Sequence, residues 1–124
     1  MSLILIVEDN EKNMKLVRDV LQAKGYATIE AVTGEDGVRL ARERMPDLIL
    51  MDIQLPGISG IDALKQLRAN PDTAAIPAVA VTASVMQQDR KLITEAGFNG
   101  YIGKPINLKE FLDTVRSILG QFAK

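Results

Sequence analysis

LILIVEDN, residues 3–10, decides how this chain folds. Its first five residues, Leu3 to Val7, are apolar without interruption. A short continuous apolar run closed by polar residues reads as a strand buried on both faces. The run then delivers two acids side by side, Glu8 and Asp9. Two like charges where a buried strand ends are costly unless something compensates them.

Outward from this stretch, strand and helix signals alternate to the end of the chain. Asn10 can cap a helix running to about Lys24, where Gly25 stops it. Leu16, Val17, Val20 and Leu21 form its apolar stripe, with Met14 at the edge. YATIEA, residues 26–31, alternates and reads as a half-exposed strand. Thr33 can cap a helix carrying Val38, Leu40 and Ala41 up to Arg44, and Pro46 ends it. DLILM, residues 47–51, is a second continuous apolar strand, and QLPGISG, residues 54–60, is a loop by its proline and glycines. IDALKQLRA, residues 61–69, is helical with Ile61, Leu64 and Leu67 facing inward. IPAVAVT, residues 76–82, is a third apolar strand, followed by a helix over 87–96 that stops at Gly97. GYIGKP holds a short strand ending at Lys104-Pro105. The last helix carries Leu108, Phe111, Leu112, Val115, Ile118, Leu119 and Phe122 on one face.

Strict alternation of five strands and five helices predicts an α/β fold. It is a three-layer, doubly wound parallel sheet with right-handed crossovers. The three strands that are apolar on both faces belong in the interior of the sheet. The half-polar YATIEA and the short YIG belong at its edges. The expected strand order is 2-1-3-4-5, a flavodoxin-like sheet whose crevice opens between the first and third strands.

Composition narrows the chemistry. A length of 124 residues suits one domain, residues 1–124. A formal net charge of −1 gives no sign of a nucleic-acid or membrane surface. No apolar run approaches membrane-spanning length, and no basic flank marks a signal peptide, so the expected location is cytoplasmic. The chain has no cysteine and no histidine. That excludes thiolate metal sites, cysteine nucleophiles and imidazole bases. Chemistry must run on carboxylates, hydroxyls, lysines and hard metal ions.

In a parallel sheet every strand points its carboxyl end to the same edge. Glu8 and Asp9 follow the first strand, Asp52 the third, Thr82 the fourth and Lys104 the fifth. Singly, each has an ordinary reading: a helix cap, a turn aspartate, a strand-ending threonine, a solvated lysine. Their convergence on the edge where this architecture binds ligands has no such reading. Three crowded carboxylates exceed the single charge of Lys104, and Mg2+ would balance the excess with oxygen ligands. With no histidine, cysteine or glycine-rich phosphate loop, one reaction stands out: a carboxylate attacks phosphorus and forms an aspartyl phosphate. Asp52, on the central strand between Glu8/Asp9 and Thr82, is the expected nucleophile, with Mg2+ and Lys104 stabilising charge on the transferring oxygens.

ILIVEDN, PDLILMDIQLPGISG, IPAVAVTA and YIGKPI, in this order and spacing, resemble the receiver domains of two-component response regulators, CheY-like in type. The resemblance covers the whole chain. The QLPGISG loop and the AVTASVMQQD segment are similar to DivK-like single-domain regulators of cell-cycle phosphorelays. The resemblance implies that Asp52 is the phosphoacceptor and Asp9 a direct Mg2+ ligand. Glu8 would act mostly through bound water, and the Gln54 main-chain carbonyl would be a further ligand. Thr82 and Tyr101 match the switch pair, Ala83 the small residue beside the phosphoryl site, and Lys104 the lysine that contacts the phosphoryl group. The Lys104-Pro105 bond is expected to be cis. Gln54 and Ser84 lie where family members tune hydrolysis.

The implied donor is a phosphohistidine on a sensor histidine kinase or histidine phosphotransfer protein, and the implied output is control of downstream regulatory proteins. The fourth helix, fifth strand and fifth helix would form the face that changes. Such a chain is not a conventional enzyme, although it catalyses its own phosphorylation and slow dephosphorylation. Met14 either helps to dock the donor or is a core-edge methionine. The chain ends two residues after Phe122, so read as complete it predicts a stand-alone regulator.

Three alternatives have discriminating features. An aspartyl-phosphate phosphatase of the haloacid-dehalogenase kind wants a second acid two residues after its nucleophile, where this chain has Gln54. A flavodoxin-type binder needs a phosphate-cradling loop after the first strand, where EDN would repel phosphate. A pseudo-receiver would keep the fold without the chemistry.

Overall fold

The computed structural model describes residues 2–83 and 87–122. Ser84, placed above among the hydrolysis-tuning positions, lies outside the described residues, as does the side chain of Phe122. Five strands and five helices alternate in the order β1 Leu3–Val7, α1 Glu11–Ala23, β2 Ala27–Ala31, α2 Gly34–Arg44, β3 Leu48–Asp52, α3 Gly60–Ala69, β4 Ala78–Thr82, α4 Gln87–Ala96, β5 Gly100–Gly103 and α5 Leu108–Phe122. The strands form one parallel sheet in the order β2-β1-β3-β4-β5, as the alternation predicts.

Period-two alternation along each central strand splits the core into two layers. Leu5, Val7, Ile49, Met51, Ala78 and Ala80 point to the side covered by α2, α3 and α4. Ile4, Ile6, Leu48, Leu50 and Val79 point to the side covered by α1 and α5. The β2 edge is half-exposed, in keeping with its mixed composition. Close packing dictates several small residues. A Cβ on Gly37 of α2 would come within 2.8 Å of Val7 in β1.

Helix starts follow local chemistry. Asn10 Oδ1 accepts from the amides of Lys12 and Asn13 at 3.0 and 3.1 Å. Thr33 Oγ1 accepts from Asp36 N, and Ser59 Oγ from Asp62 N, each at 3.1 Å. α2 ends on Met45 in the left-handed region (φ 47°), next to Pro46.

The structure corrects three local expectations. In α1 the buried line is Met14, Val17 and Leu21, while Leu16 is 38% exposed. Leu16 lies roughly 160° round the helix from Met14, at about 100° per residue. Met14 is therefore a core residue at 6% exposure, and the donor-docking role considered for it is withdrawn. β3 begins one residue later than DLILM suggests. Asp47 pairs with the start of β1 instead, where its carboxylate accepts from Leu3 N at 2.7 Å. Likewise β4 begins at Ala78, because Ile76 and Pro77 belong to the turn that enters it.

One residue outside the sequence motifs organises the amino edge of the sheet. Arg68, near the end of α3, donates to the carbonyls of Gly97 at 3.0–3.1 Å, Ile76 at 2.7 Å and Ala74 at 3.2 Å. It also reaches Asn99 Oδ1 at 3.2 Å, and the same oxygen accepts from Ala78 N at 2.9 Å. A single guanidinium thus ties the entry to β4 to the turn between α4 and β5.

Candidate functional site

The opposite, carboxyl edge gathers the charged residues singled out in the sequence. β1 and β3 pair as neighbours, so the residue after Val7 and the last residue of β3 emerge together at the order reversal. Glu8 and Asp52 are buried at 4% and 5% exposure, whereas Asp9 is exposed. One carboxylate oxygen from each of Glu8, Asp9 and Asp52 lies within 4.8 Å of the others. Lys104 Nζ enters this cluster, 2.7 Å from Asp52 Oδ2 and 3.2 Å from Glu8 Oε1.

Each group is held from the backbone. Glu8 N donates to Ala31 O at 3.0 Å, and Glu8 Oε2 accepts from Asn10 N at 3.1 Å. Asp52 Oδ1 accepts from Gln54 N at 3.0 Å, which leaves Oδ2 to Lys104. Lys104 N donates to Thr82 O at 2.8 Å, and the intervening peptide to Pro105 is cis, as expected. Thr82 is buried at the end of β4, one residue beyond the pairing of Asp52 with Val81.

Burial first, then a hydrogen bond with Asp52, push the Glu8 carboxyl above its ordinary 4.5. For Lys104, burial would lower the ammonium, but hydrogen bonds and charge from Asp52 and Glu8 outweigh it and raise it above 10.5. Burial is thus the main cause at Glu8, while the two neighbouring carboxylates hold Lys104 in its charged form. Among the described residues, three acids face one ammonium. All the clustered donors are hard oxygens, a set that fits Mg2+ and offers nothing to a soft metal.

The loop after Asp52 is tightly folded. Gly60 N donates to Ile53 O at 2.9 Å, and any Cβ on Gly60 would collide with the carbonyl oxygen of Asp52. Glycine is therefore required at 60 by the close approach of α3 to the end of β3. Away from the cluster, Tyr101 on β5 points outward at 38% exposure, with the Arg90 guanidinium 5.2 Å from its ring centroid. Arg90 was not singled out by sequence reading, since nothing in the chain marks it as Tyr101's neighbour.

Comparison with known proteins defines the class. The response regulator receiver domain matches residues 4–116. The chain belongs to that family. It is DivK-like in sequence: the polar-differentiation response regulator DivK of Brucella ovis is 49% identical over 117 residues, 94% of this chain and 95% of that one. Among solved structures, the receiver domain of the sensor histidine kinase PA1611 from Pseudomonas aeruginosa PAO1 superposes with a TM-score of 0.89 at 34% identity, covering 96% of this chain and 98% of that one. That protein was determined with a magnesium ion coordinated in its active site cleft. A signal receiver domain of a histidine kinase from Syntrophus aciditrophicus reaches 0.92 at 27% identity, covering 100% and 94%. Receivers of two-component systems interact with histidine kinases and downstream regulators.

Proposed function

We propose that this chain is a single receiver domain that works in the cytoplasm as a phosphoacceptor switch, with Asp52 as the nucleophile. The observation that carries the reading is the buried Asp52 with one oxygen on Lys104 Nζ at 2.7 Å, inside a cluster of three carboxylates. A lone structural aspartate would be fully neutralised by that lysine. Here Glu8 and Asp9 add negative charge that the described residues do not balance.

Asp9, Asp52 and the Gln54 main-chain carbonyl would hold Mg2+, with Glu8 acting through bound water. The cation would neutralise charge on the transferring phosphoryl oxygens. An Asp52 carboxylate oxygen attacks phosphorus, and the P–N bond to the donor's phosphohistidine breaks as the O–P bond forms. Lys104, already on Asp52, pairs with a phosphoryl oxygen of the product. The Thr82 hydroxyl moves to another, and Tyr101, outward beneath Arg90 in this structure, turns into the space vacated. The α4–β5–α5 face then changes its affinity for downstream proteins, a population shift between two states. The donor is a sensor histidine kinase or histidine phosphotransfer protein, and the output passes through protein contacts rather than nucleic acid. Similarity to DivK and to a receiver solved with magnesium supports this reading.

The test is to add Mg2+ and beryllofluoride, a phosphoryl mimic, and to follow amide resonances. Shifts around Asp52 together with Tyr101 are expected. Saturating mimic that moves neither region would leave a pseudo-receiver as the correct description.

A further inference from the structure

The first turn of α2 makes a contact with the loop after Asp52 that the proposed chemistry has not used. Glu35 is the second residue of α2 and is exposed. Its simplest role is that of an acid at a helix N-terminus, where negative charge is favourable. The geometry asks for more than that. Glu35 Oε1 accepts from the amide of Ile58, 23 residues away, at 3.4 Å. Both its oxygens also lie over Gly57, only 2.5 and 2.6 Å from where a Cβ would stand. Gly57 has φ +78°, the left-handed conformation that follows Pro56 in this turn. The neighbouring contact is equally close: a Cβ on Gly34 would come within 2.7 Å of Ile58 Cγ1 and 2.9 Å of Ile58 O.

The α2 start and the loop therefore meet through a glycine on each side, with the Glu35 carboxylate laid across the seam. That loop runs from Gln54, whose amide is bonded to Asp52, to Gly60, packed on the Asp52 carbonyl. We propose that Glu35 is a positioning residue. It latches the tip of the β3–α3 loop to α2 and so fixes Gln54 relative to Asp52 in the conformation that takes up Mg2+. The inference rests on reading Asp9, Asp52 and the Gln54 carbonyl as the cation's ligands.

Three variants separate the latch from a generic helix-end acid. Glu35→Gln keeps the length and the acceptor but loses the charge. Glu35→Asp keeps the charge at the helix end but falls short of Gly57 and Ile58. Glu35→Ala loses both. Mg2+ affinity is measured by calorimetry, hydrogen exchange is read at the amides of Gln54 and Ile58, and thermal unfolding checks integrity. The latch predicts that Ala and Asp variants bind Mg2+ about tenfold more weakly, the low end for groups that orient metal ligands. They should also exchange faster at Ile58 and Gln54, while Gln stays near wild type. Wild-type affinity and exchange in the Ala variant would overturn it. So would the reverse ranking, with Asp restoring function and Gln failing, because that is the signature of a helix-end charge. If the wild-type protein takes up no Mg2+, the metal-site reading fails by itself. Exchange at Ile58 then decides the latch: faster exchange in Ala and Asp upholds the contact, and unchanged exchange removes it.

Discussion

The two edges of the sheet both draw charge out of water, and they do it in opposite ways. At the amino edge the Arg68 guanidinium is met by neutral carbonyls of Gly97, Ile76 and Ala74 and by Asn99. Its donors are used in a fixed, planar arrangement that asks for nothing further. At the carboxyl edge Glu8, Asp9 and Asp52 crowd around one lysine, and burial raises the Glu8 carboxyl. At one edge every guanidinium donor has a neutral acceptor, and at the other, among the described residues, three carboxylates share one ammonium. A half-buried cation whose donors are all used marks a clamp, and an unbalanced acidic cluster marks a place where a ligand belongs.

The sharpest way to break this comparison is Asp52→Asn. The substitution is nearly isosteric, so the fold should persist, while phosphorylation from a phosphohistidine donor should be abolished. Stoichiometric labelling of that variant, read by intact mass, would remove Asp52 from its role. Next in size is Asp9→Ala, which should weaken Mg2+ binding by roughly 100-fold, at the upper end of effects seen around metal sites. Phosphorylation should fall with it although Asp52 is untouched. Calorimetry showing full Mg2+ affinity would return Asp9 to the rank of an exposed loop acid.

Arg68→Ala tests the other edge. It strands carbonyls of Gly97 and Ile76, so unfolding by urea should report a loss of about 2 kcal/mol. Mg2+ affinity should be unchanged, because Arg68 lies at the far end of the strands. A parallel loss of Mg2+ binding would mean that the two edges are coupled.

The smallest effect concerns pH without divalent cations. Glu8's folded value lies above its ordinary 4.5, so between the two the folded state holds more protons than the unfolded one. Stability should therefore fall as pH rises from about 4.5 through that folded value. Thermal melts in chelator should show the fall in wild type and its absence in Glu8→Gln. A wild-type protein that gains stability across that window would show Glu8 to be well compensated without a cation.

Much of the molecule was readable along the chain because strands and helices write their burial into local periodicity. LILIV, DLILM and AVAVT announce central strands, and the strand order follows from which runs are apolar on both faces. A parallel sheet then sends every strand end to one edge, so the order of the chain alone groups Glu8, Asp9, Asp52, Thr82 and Lys104. Where periodicity was ambiguous, the sequence reading failed: four apolar residues and a methionine in α1 allowed two stripes, and only packing against the sheet chose Met14 over Leu16.

What the sequence by itself determined is the inventory and its common edge: an oxygen-only, histidine-free cluster on a doubly wound sheet. Tertiary structure decided how unequally its members are buried and paired. Glu8 is buried on Lys104 and Asn10 N while Asp9 stays exposed, a difference that adjacent positions in EDN do not disclose. It also decided the contacts between distant segments, Glu35 with Ile58 and Arg68 with Gly97, separated by 23 and 29 residues. The physical reason is the range of the interactions. Helix and strand periods record which way a side chain faces, whereas a polar partner many residues away leaves no periodic trace until the chain has closed around it.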